Sequence, residues 1–210
     1  KALDNKFKSL SIPNVVYETG IDLKEYKEKH GSLDNLQNEL QFPILAKPRL
    51  ACRTPDTHKM LYIPSWEVFQ QKLDEIQNGP MGMIAYHFID HNAVVYKCYS
   101  LNGTCGFSKK PSLSGGSHDA VAYNSQKPIP EGLKGEHSQE SIGNAEEIDI
   151  RPIAQMLAEM SGVNLLGFDV LRDSTGVLHI VDVNYFPEFS SLTNMHQILA
   201  QYILQQFNVN

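Results

Sequence analysis

Two short apolar runs, Leu165 to Leu171 and Val177 to Val183, are joined by Arg172-Asp173-Ser174-Thr175-Gly176. Small polar residues and a glycine between β-like stretches are turn chemistry, so the segment from Gly167 to Asn184 is expected to form a β-hairpin. The charge inside that hairpin constrains the rest of the chain. Each run carries one aspartate, and Asp169 and Asp182 are equidistant from a turn centred between Thr175 and Gly176, which sets them opposite one another across the ladder. Two bare carboxylates there repel, and a cation relieves the repulsion most simply. Asn184, two residues beyond Asp182, lies on the same strand face because side chains alternate with period 2. Asp, Asp and Asn are hard oxygen ligands that suit Mg²⁺, an ion that keeps several waters and is usually completed by substrate phosphates. The plainer alternative, a hairpin whose aspartates face solvent or cap turns, explains either aspartate alone better than it explains the trio.

At 210 residues and 41% hydrophobic content the chain can bury a real core, as one large domain or two small ones. A net charge of -6, with no block of like charge, argues against a general nucleic-acid binder. Cys52, Cys98 and Cys105 are odd in number and lack metal-type spacing, so free thiols in a reducing, cytoplasmic setting are expected. No apolar run approaches the roughly 18 residues that a membrane span needs, and no signal-peptide pattern opens the chain. The sequence starts at Lys1 without a methionine, consistent with removal of something upstream.

Taken in order, residues 12–17 suit a strand and 22–40 a helix broken near Gly31-Ser32, with Ser32 as a cap. Residues 42–47 form an apolar strand ending in Lys47, and a polar, basic stretch containing Arg53, Thr54, Pro55, Asp56, Thr57 and His58 follows to Lys59. A strand over 58–63 and a helix over 65–76 capped by Ser65 come next. From Met81 the character changes to three β-like runs, MGMIAYHFI, AVVYKCYSL and GTCGFSKKP, read as an antiparallel meander. A loop at 111–116, a brief strand at 119–123 and a long polar stretch at 124–144 lead to an amphipathic helix over 145–161 stopped by Gly162. After the hairpin, a last helix is expected over 192–207. The shift near Met81 places a domain boundary there, giving 1–80 and 81–210.

Lysines stand where core is expected. Lys97 lies within VVYKCY, where an unpaired charge is costly to bury, so it either snorkels outward or meets an anion. Lys47 ends a strand, and Lys109-Lys110 close another. Lysines around a magnesium site are what phosphoryl transfer requires, because catalysis there is mostly positioning and charge neutralisation. His58 could donate to a phosphate, and Gly115-Gly116 with Ser112 and Ser114 could wrap a nucleotide, though a glycine pair is a common feature. Neither a GxxxxGK[ST] loop nor the protein-kinase set occurs.

The order FPILAKPR, His58-Lys59-Met60, HFIDHNAVVYKCY, KKPSLS, NSQ, LLGFDVL and IVDVNYFPEF resembles the ATP-grasp core of the inositol 1,3,4-trisphosphate 5/6-kinase (inositol-tetrakisphosphate 1-kinase) family, from about Leu40 to about Phe207. The resemblance implies an α+β ATP-grasp fold, with a central and a C-terminal subdomain whose antiparallel sheets clamp ATP. It makes Lys47 a contact to the nucleotide phosphates, the backbone of Tyr86, His87, Phe88 and Ile89 the reader of adenine, and Ser112 and Ser125 further nucleotide contacts. Lys97 would lie between ATP and the inositol polyphosphate, His58 and Asn184 would touch that substrate, and Lys97 with Lys110 would be catalytic. Asp169, Asp182 and Asn184 would hold Mg²⁺. Lys110 stands where the family generally has arginine, so charge is kept but the bidentate fork is lost. Tyr86 replaces a frequent glutamine, and Glu188 follows Pro187 where glycine is usual, setting a carboxylate against a polyphosphate. The family's N-terminal domain has no counterpart in this sequence, which reads as the nucleotide-binding two-thirds of such an enzyme.

The leading expectation is therefore an Mg²⁺- and ATP-dependent inositol polyphosphate kinase, monomeric and cytoplasmic, acting on neither nucleic acid nor membrane. Two rivals remain: an ATP-grasp carboxylate-amine ligase, distinguished by its acceptor, and a nucleotide- or inositol-phosphate-binding module with little turnover.

Overall fold

The structure is a computed structural model; it describes residues 12–49, 58–78, 82–135, 142–143, 145–185, 187 and 195–206. Its elements are β1 (Val15–Tyr17), β2 (Ile21–Asp22), α1 (Leu23–His30), β3 (Ile44–Pro48), β4 (Lys59–Ile63), α2 (Trp66–Gln71), α3 (Leu73–Asn78), β5 (Met83–His87), β6 (Val94–Leu101), β7 (Thr104–Pro111), β8 (Val121–Asn124), α4 (Arg151–Ser161), β9 (Leu165–Arg172), β10 (Leu178–Tyr185) and α5 (Met195–Gln206). Short 3₁₀ turns occupy Asp34–Asn38 and Glu131–Leu133. Two compact units result. The first comprises Lys1–Glu18, Val94–Pro111 and His137–Asn210, and the second Thr19–Ala93 and Ser112–Glu136.

The first unit is a five-stranded sheet in the order β1-β10-β9-β6-β7, antiparallel except for the parallel pairing of β1 with β10. Alternation along its strands separates two faces. Tyr96 and Cys98 of β6, Leu166, Phe168 and Val170 of β9 and Ile180 of β10 turn toward Ile153, Ala154 and Leu157 of α4 and form the core. The opposite face carries Lys97 and Asp169, and its lower end is covered where α5 lays Ile198, Leu199 and Tyr202 against Tyr99 and Leu101. The β6–β7 hairpin turns through Asn102-Gly103, both at positive φ, as an Asn-Gly turn of the primed type requires.

The second unit is a sheet in the order β2-β5-β3-β4-β8. One face packs Ile44, Ala46, Leu61, Ile63 and Ala85 against Leu23 and Tyr26 of α1, Leu36 of the 3₁₀ turn Asp34–Asn38 and Phe69 of α2. The other gathers Leu45, Tyr62, Val121 and Tyr123 with Phe88, Leu113 and Leu133. Asp22 caps α1 by accepting from the amides of Lys24 and Glu25, and Gly31 ends it at φ 80°.

Four expectations are corrected. The division after residue 80 does not coincide with the units: β5 lies between β2 and β3, so the second unit runs on to Ala93. For the same reason there is no three-strand meander, because β5 pairs with β3 while β6 pairs with β7 and β9. The helix expected from Ala145 starts at Arg151, since Pro152 is tolerated only in the first turn; Asp149 takes the amide and guanidinium of Arg151 there, which holds its carboxyl down at about 2. The helix expected over 65–76 begins with Ser65 as cap and is interrupted at Lys72.

Candidate functional site

On the open face of the first sheet the register sets residues in rows. One row reads Ser108, Lys97, Asp169, Asp182 across β7, β6, β9 and β10. The next carries Gly106, Tyr99, Gly167 and Asn184, and the row on the other side carries Lys110, Val95, Leu171 and His179. Five residues singled out from the sequence, Lys97, Lys110, Asp169, Asp182 and Asn184, thus share one face of one unit. The Lys97 ammonium donates to Asp169 Oδ2, and the Asn184 amide donates to Asp182 Oδ2 at 2.7 Å. Asp169 is the more enclosed of the first pair, with its side chain 17% exposed against 41% for Lys97.

Asp182 reaches this face through an irregularity. Up to Ile180 the strands pair so that Arg172 faces Leu178, and from Asp182 the register has moved by one, leaving Val181 as a bulge. Leu178, Ile180 and Val183 all pack on the core. Strict alternation from Ile180 would carry Asp182 into that core, and the extra residue turns it outward instead. The turn itself is centred on Thr175, so Asp169 and Asp182 meet because the bulge compensates, not because the hairpin is symmetrical about 175 and 176. The adjacent pair Ile180-Val181, which breaks alternation, is the trace of this in the sequence.

Gly167 of the GFD run faces Asn184 in the register, and a Cβ there would stand 2.4 and 2.7 Å from Cβ and Cγ of Pro187. The glycine is therefore needed for Pro187 to fold onto the sheet beside Asn184. Glu188 lies outside the described residues, as do Cys52 and the stretch from Arg53 to Thr57.

Sequence reasoning passed over one further cluster on this face. His179 bridges two carboxylates, Nδ1 to Glu18 Oε1 at 2.6 Å and Nε2 to Asp173 Oδ2 at 3.0 Å. Asp173 also accepts from the amides of Thr175 and Val177 and from the Thr175 hydroxyl. Burial opposes charge at both groups, but these bonds prevail, raising the His179 imidazole above its ordinary value and holding Asp173 far below the usual carboxylate range. A histidine between two apolar residues of a strand, Leu178 and Ile180, was its only signal.

In the second unit Lys47 is the next-to-last residue of β3, its ammonium 4.8 Å from the centre of the Tyr86 ring. His58 precedes β4 and Ser125 follows β8, joined by the Ser125 amide donating to the His58 carbonyl at 3.0 Å. Because β3, β4 and β8 are successive neighbours, Lys47, His58 and Ser125 fall at one end of the sheet, and Tyr86 to Ile89 lead away from it along β5. His87 pairs with Ile44 and so points to the opposite side from Tyr86. The Phe88 amide donates to the Pro43 carbonyl and the Ile89 carbonyl meets His91 Nδ1, so two backbone groups of the segment Tyr86–Ile89 are engaged within the protein. The Ser112 amide is bonded to the Ala93 carbonyl. Gly115 and Gly116 have local reasons: Gly115 passes so close to the Phe88 ring that a Cβ would stand 2.9 Å from it, and the Gly116 amide donates to the Tyr62 hydroxyl.

No group of three or more His, Cys, Asp or Glu side chains able to enclose a metal occurs among the described residues. Asp169, Asp182 and Asn184 form instead an open, all-oxygen set that leaves positions for water and phosphate, which fits a hard cation of the Mg²⁺ kind. Cys98 faces the core, where burial pushes its thiol up, and Cys98 and Cys105 are both free.

The family model for the inositol 1,3,4-trisphosphate 5/6-kinase ATP-grasp domain matches residues 21–205. The chain belongs to this family. The ATP-grasp match begins earlier than Leu40, taking in β2 and α1. Relatives include inositol-tetrakisphosphate 1-kinase 6 of Oryza sativa, 30% identical over 167 residues that make up 73% of this chain and 29% of the relative. Inositol-tetrakisphosphate 1-kinase 1 of Arabidopsis thaliana is 26% identical, over 78% of this chain and 54% of the relative. The chain thus spans between about a third and about half the length of these kinases. Among solved structures, the VanG D-Ala:D-Ser ligase of Enterococcus faecalis superposes with a TM-score of 0.55 at 14% identity, over 91% of this chain and 54% of that one. The macrocyclase MdnC of Microcystis aeruginosa gives 0.54 at 11%, over 93% and 56%. These likenesses concern the fold alone. No described helix is long and apolar enough to cross a membrane.

Proposed function

We propose that this chain carries the nucleotide and metal machinery of a kinase that transfers the γ-phosphoryl group of Mg-ATP to a hydroxyl of an inositol polyphosphate. The observation that supports it best is the shared open face of Lys97, Lys110, Asp169, Asp182 and Asn184, in a chain whose family is that of the inositol phosphate kinases. Lys47 binds nucleotide phosphate beside Tyr86, and the segment Tyr86–Ile89, Ser112 and Ser125 hold the nucleoside. Asp169, Asp182 and Asn184 hold Mg²⁺, which when bound neutralises phosphate charge and aligns the reacting oxygens. Lys97 and Lys110 neutralise the oxygens of the group in transfer, and His58 and Asn184 contact the acceptor. In the transfer the acceptor oxygen bonds to the γ-phosphorus, the bond from that phosphorus to the β–γ bridging oxygen breaks, ADP leaves and the hydroxyl proton is released.

The test is ADP formation by this chain across a panel of inositol phosphates. Turnover that needs an inositol phosphate is expected. Turnover that needs a carboxylic acid and an amine would replace the reading with a ligase, and tight Mg-ATP binding without any transfer would replace it with a binding module.

A further inference from the structure

Asp169 lies directly between Lys97 on β6 and Asp182 on β10, so the enclosed carboxylate meets a positive side chain on one flank and a negative one on the other. Cross-strand partners of this kind are held a few ångströms apart by the ladder itself, whatever the side-chain rotamers. Lys97 is thus permanently within reach of the carboxylate, and its ammonium takes an oxygen of it. Lys110 sits one row away on β7, diagonal to Lys97.

We infer that Lys97 is a stand-in cation at the metal site: its ammonium holds the Asp169 carboxylate until a divalent cation displaces it, and only then is Lys97 delivered to phosphate. This rests on the assignment of Asp169, Asp182 and Asn184 as the metal-holding set. The electrostatics runs in one direction. With Lys97 on Asp169, two facing carboxylates are balanced by one charge, and the enclosed member is not left bare. A divalent cation on the same carboxylate repels the ammonium, which swings along the open face to the side of Ser108 and Lys110. The two lysines then form a doubly positive patch that an anionic phosphate, and no neutral ligand, would occupy. Metal and polyanion consequently assist one another, because each removes what competes with the other, and the assistance is reciprocal. The lysine in effect reports that the metal is in place.

The experiment is Mn²⁺ binding in the absence of nucleotide, followed by the electron paramagnetic resonance of free Mn²⁺, for the unmodified chain, Lys97→Met, Lys97→Gln, Lys97→Arg and Asp182→Ala. Removing the competing charge in Lys97→Met or Lys97→Gln is expected to tighten Mn²⁺ binding about tenfold, within the usual range for coupled sites. Lys97→Arg, which keeps the charge, is expected to bind as the unmodified chain does. Equal or weaker Mn²⁺ binding in both neutral variants, with binding by the unmodified chain lost in Asp182→Ala, would overturn the stand-in role while leaving the metal site intact. Mn²⁺ binding that is indifferent to Asp182→Ala would overturn the metal assignment, and the inference with it.

Discussion

Gly167 and Asp182 show how much of the site rests on single side chains, or on the lack of one. Adding a methyl group at Gly167 drives it into Pro187, so Gly167→Ala is expected to lose about 1–3 kcal/mol by overpacking. Urea unfolding measures this, and the loss should be strongly non-additive with Pro187→Gly, which removes the ring that is struck. Additive losses would mean that the two residues do not meet. Asp182→Ala removes one of two carboxylates from an open oxygen set. Mg²⁺-dependent nucleotide binding, read by calorimetry, is expected to fall by more than the roughly 10–100-fold that loss of a supporting partner costs. Both residues stood out in the sequence, one in GFD and the other in VDVN. The reason for the glycine did not, because it depends on a proline 20 positions away folding back onto it.

At the scale of the element, the β9–β10 hairpin combines a bulge that aims Asp182 and a histidine clamp that ties its turn to the chain at Glu18. The clamp makes the hairpin pH-sensitive with a definite sign. His179 has its pKa raised in the folded protein, so its contribution is complete below the ordinary histidine value of 6.5 and is lost as pH rises through the raised value. Asp173 has its pKa lowered, so its contribution is present above the ordinary 3.8 and is lost as pH falls through the depressed value. The pair is therefore strongest between about pH 4 and 6.5. NMR titration should find the His179 midpoint above 6.5, falling in Asp173→Asn; a midpoint at or below 6.5 in the intact chain would refute the clamp. Turn chemistry and apolar runs were enough to locate this hairpin from sequence. Its bulge and clamp were not legible, because a bulge is one residue of surplus in an otherwise regular pattern, and Glu18 lies far from His179 along the chain.

For the whole molecule, strand order overrules composition. A fragment of residues 1–80 would hold β2, β3 and β4 but not β5, the strand between β2 and β3, nor β8 beyond β4. Two cuts in one sheet leave Ile44, Ala46 and the face they build without the partner Ala85. The fragment is expected to show no cooperative thermal transition by circular dichroism, whereas the full chain does; a cooperative transition from 1–80 alone would contradict the observed strand order. The sequence by itself determined the family, the α+β class, most elements and the β9–β10 hairpin with its two facing aspartates, since these follow from local periodicity, turn chemistry and short motifs. The tertiary structure alone decided which strands share a sheet, that the chain passes repeatedly from one unit to the other, and that Lys97 rests on Asp169. Those are pairings between distant segments, and their free energy comes from contacts that no local window of sequence contains.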